Sequence, residues 1–163
     1  LMIALPFALM SGVVFHHKWL MLALFILIWV NDSGAYIVGS LMSKRKGGNH
    51  KMFPRVSPAK SWEGLIGGFV FDLIAGYVFF RVGWTASLGL TAYPLLDSLL
   101  FALVVGVFGT LGDLMESLMK RTVGVKDSGR FMPGHGGVLD RFDSLLLAVP
   151  VVYFLFVYLP TIL

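Results

Sequence analysis

No cysteine occurs in the 163 residues, so disulfides, thiolate metal sites and cysteine nucleophiles are excluded. Charge is also scarce, at 13% of residues, about half the roughly 25% of soluble domains. There is no G-x-x-x-x-G-K-[ST] run and no G-x-G-x-x-G fingerprint after a strand, which sets aside P-loop nucleotidases and Rossmann sites. Neither an internal repeat nor a low-complexity segment is present. What is abundant is apolar: 57% of residues are hydrophobic and the mean hydropathy is +0.83. The net charge of +4 taken alone would suit nucleic acid, but the apolar runs make lipid the solvent most of the surface meets. A nucleic-acid partner is therefore excluded.

The apolar runs predict an all-α, polytopic membrane helix bundle forming one membrane domain. Residues 1–15 fall short of the roughly 20 needed to cross a bilayer and, without the basic start and cleavage site of a signal peptide, read as the truncated end of a span. Further spans are expected at 19–42, 64–80, 95–115 and 144–163, each long enough at about 1.5 Å per residue when tilted. Asn31, Asp32 and Ser33 interrupt the first of these, and Pro150 is expected to kink the last. Eleven of the thirteen Lys and Arg residues fall in loops 43–63 and 116–143, leaving only Lys18 and Arg81 elsewhere. The positive-inside bias places both loops in the cytoplasm, so a polar cavity built from them faces cytosolic solutes.

Several constellations could carry chemistry. Asp113, Glu116, Ser117 and Lys120 recur at i, i+3, i+4 and i+7, which aims all four from one helix face; a polar seam with Lys120 snorkelling is the plainer alternative. Carboxylates at membrane depth cost about 2.5–3.5 kcal/mol at a helix centre, so Asp113 and Glu116 need a partner or a cation. The stretch 126–143 gathers Lys126, Asp127, Gly136, Gly137, Asp140, Arg141 and Asp143; its glycines let backbone N–H groups approach a phosphate. Asp113, Asp140 and Asp143 offer hard oxygen ligands suited to Mg²⁺, although an ordinary turn with a salt-bridge network has the same composition. Lys60 and Ser61, just before a span, suit an anion at a helix start, or a cap with Trp62 as anchor. Asn31 and Asp32 are either functional intramembrane groups or a buried hydrogen-bonded pair. Asp72 and Asp97 read as structural, and His16, His17 and His50 as solvent or interface residues.

The run Ser117-Leu118-Met119-Lys120-Arg121, then Lys126-Asp127, then Pro133-Gly134-His135-Gly136-Gly137-Val138-Leu139-Asp140-Arg141-Phe142-Asp143 resembles the signature of phosphatidate cytidylyltransferases, the CDP-diacylglycerol synthases. Gly112-Asp113-Leu114-Met115-Glu116-Ser117, Asn31-Asp32-Ser33-Gly34-Ala35-Tyr36 and Ser57-Pro58 through Lys60-Ser61-Trp62-Glu63-Gly64 are similar to further segments of that family. The likeness covers most of the chain from Trp19 onward.

The resemblance implies transfer of CMP from CTP to phosphatidic acid with release of pyrophosphate, using Mg²⁺ or another divalent cation and leaving a second metal ion open. It implies metal ligation by Asp113 and Asp140, joined by Glu116 and Asp143. It gives catalytic roles to Lys120, Arg121, Lys126, Asp127, His135 and Arg141, with His135 donating to a phosphate. Substrate binding falls to Asn31, Asp32, Ser57, Lys60, Ser61, Ser117, Gly136 and Gly137, with Asp32 lining the lipid-phosphate cavity. The expected partners are CTP, phosphatidic acid and membrane lipids, with a homodimer left open, and the expected location is a multi-pass membrane protein whose active site faces the cytoplasm. Competing readings are another CTP-dependent lipid enzyme (a polyprenol or phytol kinase, or an archaeal-type cytidylyltransferase) and a transporter, which broken helices with midplane acids also suggest.

Overall fold

A computed structural model describes residues 4–16, 18–45, 48–86, 88, 90–125 and 142–161. Helices α1 (Ala4–His16), α2 (Lys18–Ser43), α3 (Trp62–Val82), α4 (Pro94–Thr122) and α5 (Asp143–Val152) make up most of them. Among the described residues three helices, α2, α3 and α4, are long and apolar enough to cross a membrane. α2 packs on α3, α3 on α4 and α4 on α5. Leu20, Leu24, Leu27, Phe101, Val105, Val149 and Val152 are sealed between them, and Phe101 meets Phe156 edge to face at 5.4 Å. Trp29, Ile66, Ile74 and Val82 project outward, as lipid-facing side chains do.

Burying leucine against leucine gains little when the alternative is lipid, so small residues and interhelical hydrogen bonds must hold such helices together. The sequence places both at the centre. Asn31 of α2 donates through Nδ2 to Asp72 Oδ2 of α3, and Thr110 Oγ1 of α4 donates to Asn31 Oδ1 at 3.5 Å. Gly106 makes room for this triple contact: a Cβ there would collide with Asp72 Oδ2 and lie 3.1 Å from Asn31 Nδ2. A second buried link runs from Thr85 Oγ1 to Ser98 Oγ (3.0 Å) and from Ser98 Oγ to the Gly76 carbonyl (2.7 Å). Asp97, next in the chain, is fully buried.

Three features depart from the sequence reading. The segment before α3 is not purely irregular: β1 (Lys51–Phe53) and β2 (Ser57–Ser61) pair antiparallel, with Lys51 opposite Ser61 and Phe53 opposite Ser57. Glu63 anchors this ribbon to α3 by accepting from the His50 backbone N–H (3.1 Å) and pairing with His50 Nδ1 (2.6 Å). α2 runs unbroken through Asn31, Asp32 and Ser33, because Asn31 finds its partners on neighbouring helices instead of disturbing its own backbone. Pro150 lies inside α5, and a change of winding follows it: α5 stays α-helical to Val152, then widens into a π-helical segment, Tyr153–Tyr158, before a 3-10 turn, Leu159–Thr161. Proline removes one backbone donor, and the wider winding begins three residues beyond it.

Candidate functional site

Residues 116–122, which the apolar pattern alone assigns to a loop, continue α4, so Asp113, Glu116, Ser117 and Lys120 do share one helical stripe. Lys120 Nζ pairs with Glu116 Oε2 at 3.0 Å, Ser117 Oγ donates to Asp113 Oδ1 at 3.3 Å, and Glu116 is buried. Asp143 opens α5 facing this stripe; Ser144 donates to Asp143 Oδ1 from its backbone N–H (2.6 Å) and from its hydroxyl (3.2 Å). Carboxylate oxygens of Asp113, Glu116 and Asp143 all lie within 4.8 Å of one another.

The ribbon delivers a cation to the same place. Lys60, in β2, reaches across to Asp113 Oδ2 at 2.7 Å and donates to the Thr110 carbonyl at 3.3 Å. Ser61 takes the capping role: its Oγ accepts from the Gly64 N–H at 3.1 Å and starts α3. Arg121 is exposed and donates through Nε to the Val56 carbonyl at 3.5 Å, which ties the end of α4 to the ribbon turn. Ser57 pairs opposite Phe53 within the ribbon. Next to Lys60 a cavity of about 200 Å³ is lined by Asn31, Asp32, Tyr36, Met52, Lys60 and Ser61, among others.

Asp113, Glu116, Asp143, Ser117, Lys120 and Lys60 thus come together, while Asn31 and Asp32 lie on the adjoining cavity. Lys126, Asp127, His135, Gly136, Gly137, Asp140 and Arg141 lie outside the described residues. Two neighbours were not foreseen. Thr110 stands three residues before Asp113 and extends the polar stripe by one turn, a signal the sequence did contain. Ser144 follows Asp143 directly. Asp72, read from the sequence as structural, has that role: it holds α3 to α2 by accepting from Asn31.

The donor set suits a divalent cation. It offers only carboxylate oxygen, which selects hard ions over Zn²⁺ or copper. Oxygens about 2.1 Å from one Mg²⁺ stand about 3.0 Å apart when adjacent and about 4.2 Å apart when opposite, so carboxylate oxygens within 4.8 Å of one another draw closer to share one ion. Lysine ammonium groups now offset two of the three carboxylates, as like charges so close require.

A family model described as "Cytidylyltransferase family" matches residues 1–159. The phosphatidate cytidylyltransferase of Haemophilus influenzae is 45% identical over 139 residues, covering 83% of this chain and 45% of the relative. That of Bacillus subtilis is 48% identical over 130 residues, covering 80% and 44%, and that of Staphylococcus haemolyticus 45% identical over 134 residues, covering 82% and 47%. The chain spans less than half the length of these relatives.

Proposed function

The chain belongs to the cytidylyltransferase family, and on that footing we propose that it carries the site at which CMP passes from CTP to phosphatidic acid, releasing pyrophosphate and forming CDP-diacylglycerol. The observation that carries this reading is the meeting of Asp113, Glu116 and Asp143 with Lys60 and Lys120 where α4 and α5 adjoin the ribbon. Position supports it too. α4 has 29 residues, about 43 Å of helix, against a hydrocarbon core of about 30 Å. The excess of about 13 Å matches the rise from Asp113 to Thr122, so the cluster falls at the membrane boundary, where a lipid headgroup meets a water-soluble nucleotide. The positive-inside bias of the two basic segments flanking it supports a cytoplasmic orientation of this end.

The chemistry asks for charge management more than proton transfer. A phosphate monoester has its second pKa near 6, so the lipid phosphate oxygen is already anionic at neutral pH. That oxygen attacks the α-phosphorus of CTP; the new P–O bond forms as the bond to the bridging oxygen breaks, and pyrophosphate departs with the electron pair. The obstacle is repulsion, about 4 kcal/mol per unit-charge pair at 4 Å and an effective dielectric near 20. Lys60 and Lys120 lower it from two sides of the cluster. Arg121, Lys126, His135 and Arg141 add positive charge or phosphate donors, Asp127 is assigned a catalytic role beside them, and Gly136 and Gly137 offer backbone N–H groups, all on the reading of the sequence motif. Asp113, Glu116 and Asp143, with Asp140, would hold Mg²⁺, which when bound supplies charge neutralisation at the transferring phosphoryl group. Ser117 keeps Asp113 oriented, while Asn31, Asp32 and Ser61 line the substrate cavity and Ser57 is assigned to substrate binding on the sequence motif alone.

The test is label transfer by the full-length protein in detergent micelles. CTP labelled at the α-phosphate should label phosphatidate-derived lipid, and CTP labelled at the γ-phosphate should label only pyrophosphate. Lipid labelled from the γ-position, or turnover with diacylglycerol or isoprenoid alcohols in place of phosphatidate, would make the protein a kinase. No turnover with any lipid would favour transport.

A further inference from the structure

We propose that the cavity beside Lys60 holds the cytosine ring of the nucleotide, with the Asp32 carboxylate accepting from the ring's exocyclic amino group. The inference rests on the CTP-dependent reading above and assigns one part of that substrate to one part of the site.

Size comes first. At about 200 Å³ the cavity is smaller than the roughly 300 Å³ at which drug-sized ligands begin to be enclosed. It takes a single ring or a single headgroup, not a triphosphate and not an acyl chain. Charge then separates the two. The sequence assigns Asp32 to the lipid-phosphate cavity, yet a carboxylate on the wall repels a phosphate. Lys60, the cation on that wall, is already directed to Asp113 and the Thr110 carbonyl. Asp32 itself is exposed and makes no hydrogen bond to the described residues, so it stands as an acceptor in want of a donor. Cytosine presents an amino group that a carboxylate accepts from well, whereas uracil presents a carbonyl oxygen at the same position.

The remaining groups complete the pattern. Asn31 is engaged on both ends by Asp72 and Thr110, so it shapes the wall without competing for the ring. Ser61 accepts from Gly64 and keeps its own O–H as a donor, suited to the ring's N3 or O2 acceptor. Tyr36, Met52 and Leu65 supply apolar and aromatic surface of the kind that lies against a ring face. Lys60 then joins the cavity to the carboxylate cluster, which places the phosphates of the same nucleotide beside Asp113.

The experiment compares CTP with UTP, using the full-length protein in micelles. Equilibrium binding to the wild type, without lipid, should favour CTP by at least tenfold; equal affinity overturns the proposal without any variant. Asp32→Asn keeps the shape and presents an amide that can donate to uracil as well as accept from cytosine. It should lower the CTP-to-UTP ratio of kcat/KM at least tenfold and leave the KM for phosphatidate within twofold. An unchanged nucleotide preference, or a raised phosphatidate KM with that preference intact, overturns the proposal and gives the cavity to the lipid phosphate. Absence of CTP turnover in the wild type would instead refute the enzymatic reading, and the binding comparison still decides this one.

Discussion

Replacing Gly112 with alanine is expected to damage the site without touching any charged group. Gly112 lies where α4 passes the first turn of α5: a Cβ there would stand 2.6 Å from the Asp143 carbonyl oxygen, 3.1 Å from that of Ser144 and 3.2 Å from Ser144 Cα. Ordinary contact begins near 3.4 Å, so the α5 backbone must retreat by about 0.8 Å, and backbone cannot rotate aside as a side chain can. Gly109, one turn earlier, is a built-in control, since its Cβ would meet only Ile28 Cγ1 and Ser144 Cβ, each at 3.8 Å. Both changes gain the same helix propensity, up to about 1 kcal/mol, so the difference between them isolates the overpacking, about 1–3 kcal/mol. At about 2–4 °C per kcal/mol for a chain of this size, Gly112→Ala should melt several degrees below Gly109→Ala in detergent. The same retreat carries Asp143 away from Asp113, and misplacement by about 1 Å can cost about 10²-fold in rate. CDP-lipid formation should therefore fall by one to two decades in Gly112→Ala and stay near wild type in Gly109→Ala. Indistinguishable melting and rates for the two variants would refute the close approach of α4 and α5.

Lys60→Met should lower thermal stability by about 1–2 kcal/mol, less than the 3–5 kcal/mol of breaking a fully buried pair, because the Lys60 and Asp113 side chains keep 22% and 29% of their exposure; added Mg²⁺ should recover more of the loss than it adds to wild type, and an identical Mg²⁺ response in both proteins would count against cation binding at Asp113. Asn31→Leu and Asp72→Leu should each destabilise by about 1–3 kcal/mol by leaving a buried partner without its hydrogen bond, while the double variant costs less than their sum by at least about 0.6 kcal/mol. Strict additivity in that cycle would show that the two residues do not hold α2 to α3.

The helices were legible because lipid demands long apolar runs, and the stripe from Asp113 to Lys120 was legible because charged residues at that depth are too costly to be accidental. What escaped is instructive in the same terms. β2, Ser57-Pro58-Ala59-Lys60-Ser61, has neither alternation nor β-branched residues; it is held by its register with β1 and by Glu63, a contact thirteen residues from its partner His50. The continuity of α2 through Asn31 was hidden because the relief for a buried amide lies on two other helices, at Asp72 and Thr110. Local polarity announces such a residue but cannot say whether the backbone breaks or a neighbour answers. The carboxylate cluster was visible in parts: Asp113 and Glu116 share α4 at i and i+3, a spacing the sequence shows, and Asp143 was named with them from the motif, but its approach to the pair comes from the docking of α4 on α5, which no local spacing encodes.

The site assignment stands most directly on the initial rate of CDP-lipid formation measured against Mg²⁺ for wild type and Asp113→Asn, both full-length and at saturating CTP. The wild-type rate should rise with Mg²⁺ and saturate, and Asp113→Asn should stay at least about 10²-fold lower at every Mg²⁺ concentration, because a ligand acting on developing charge changes kcat more than KM. Wild-type rates in Asp113→Asn, or rates independent of Mg²⁺, would contradict the assignment.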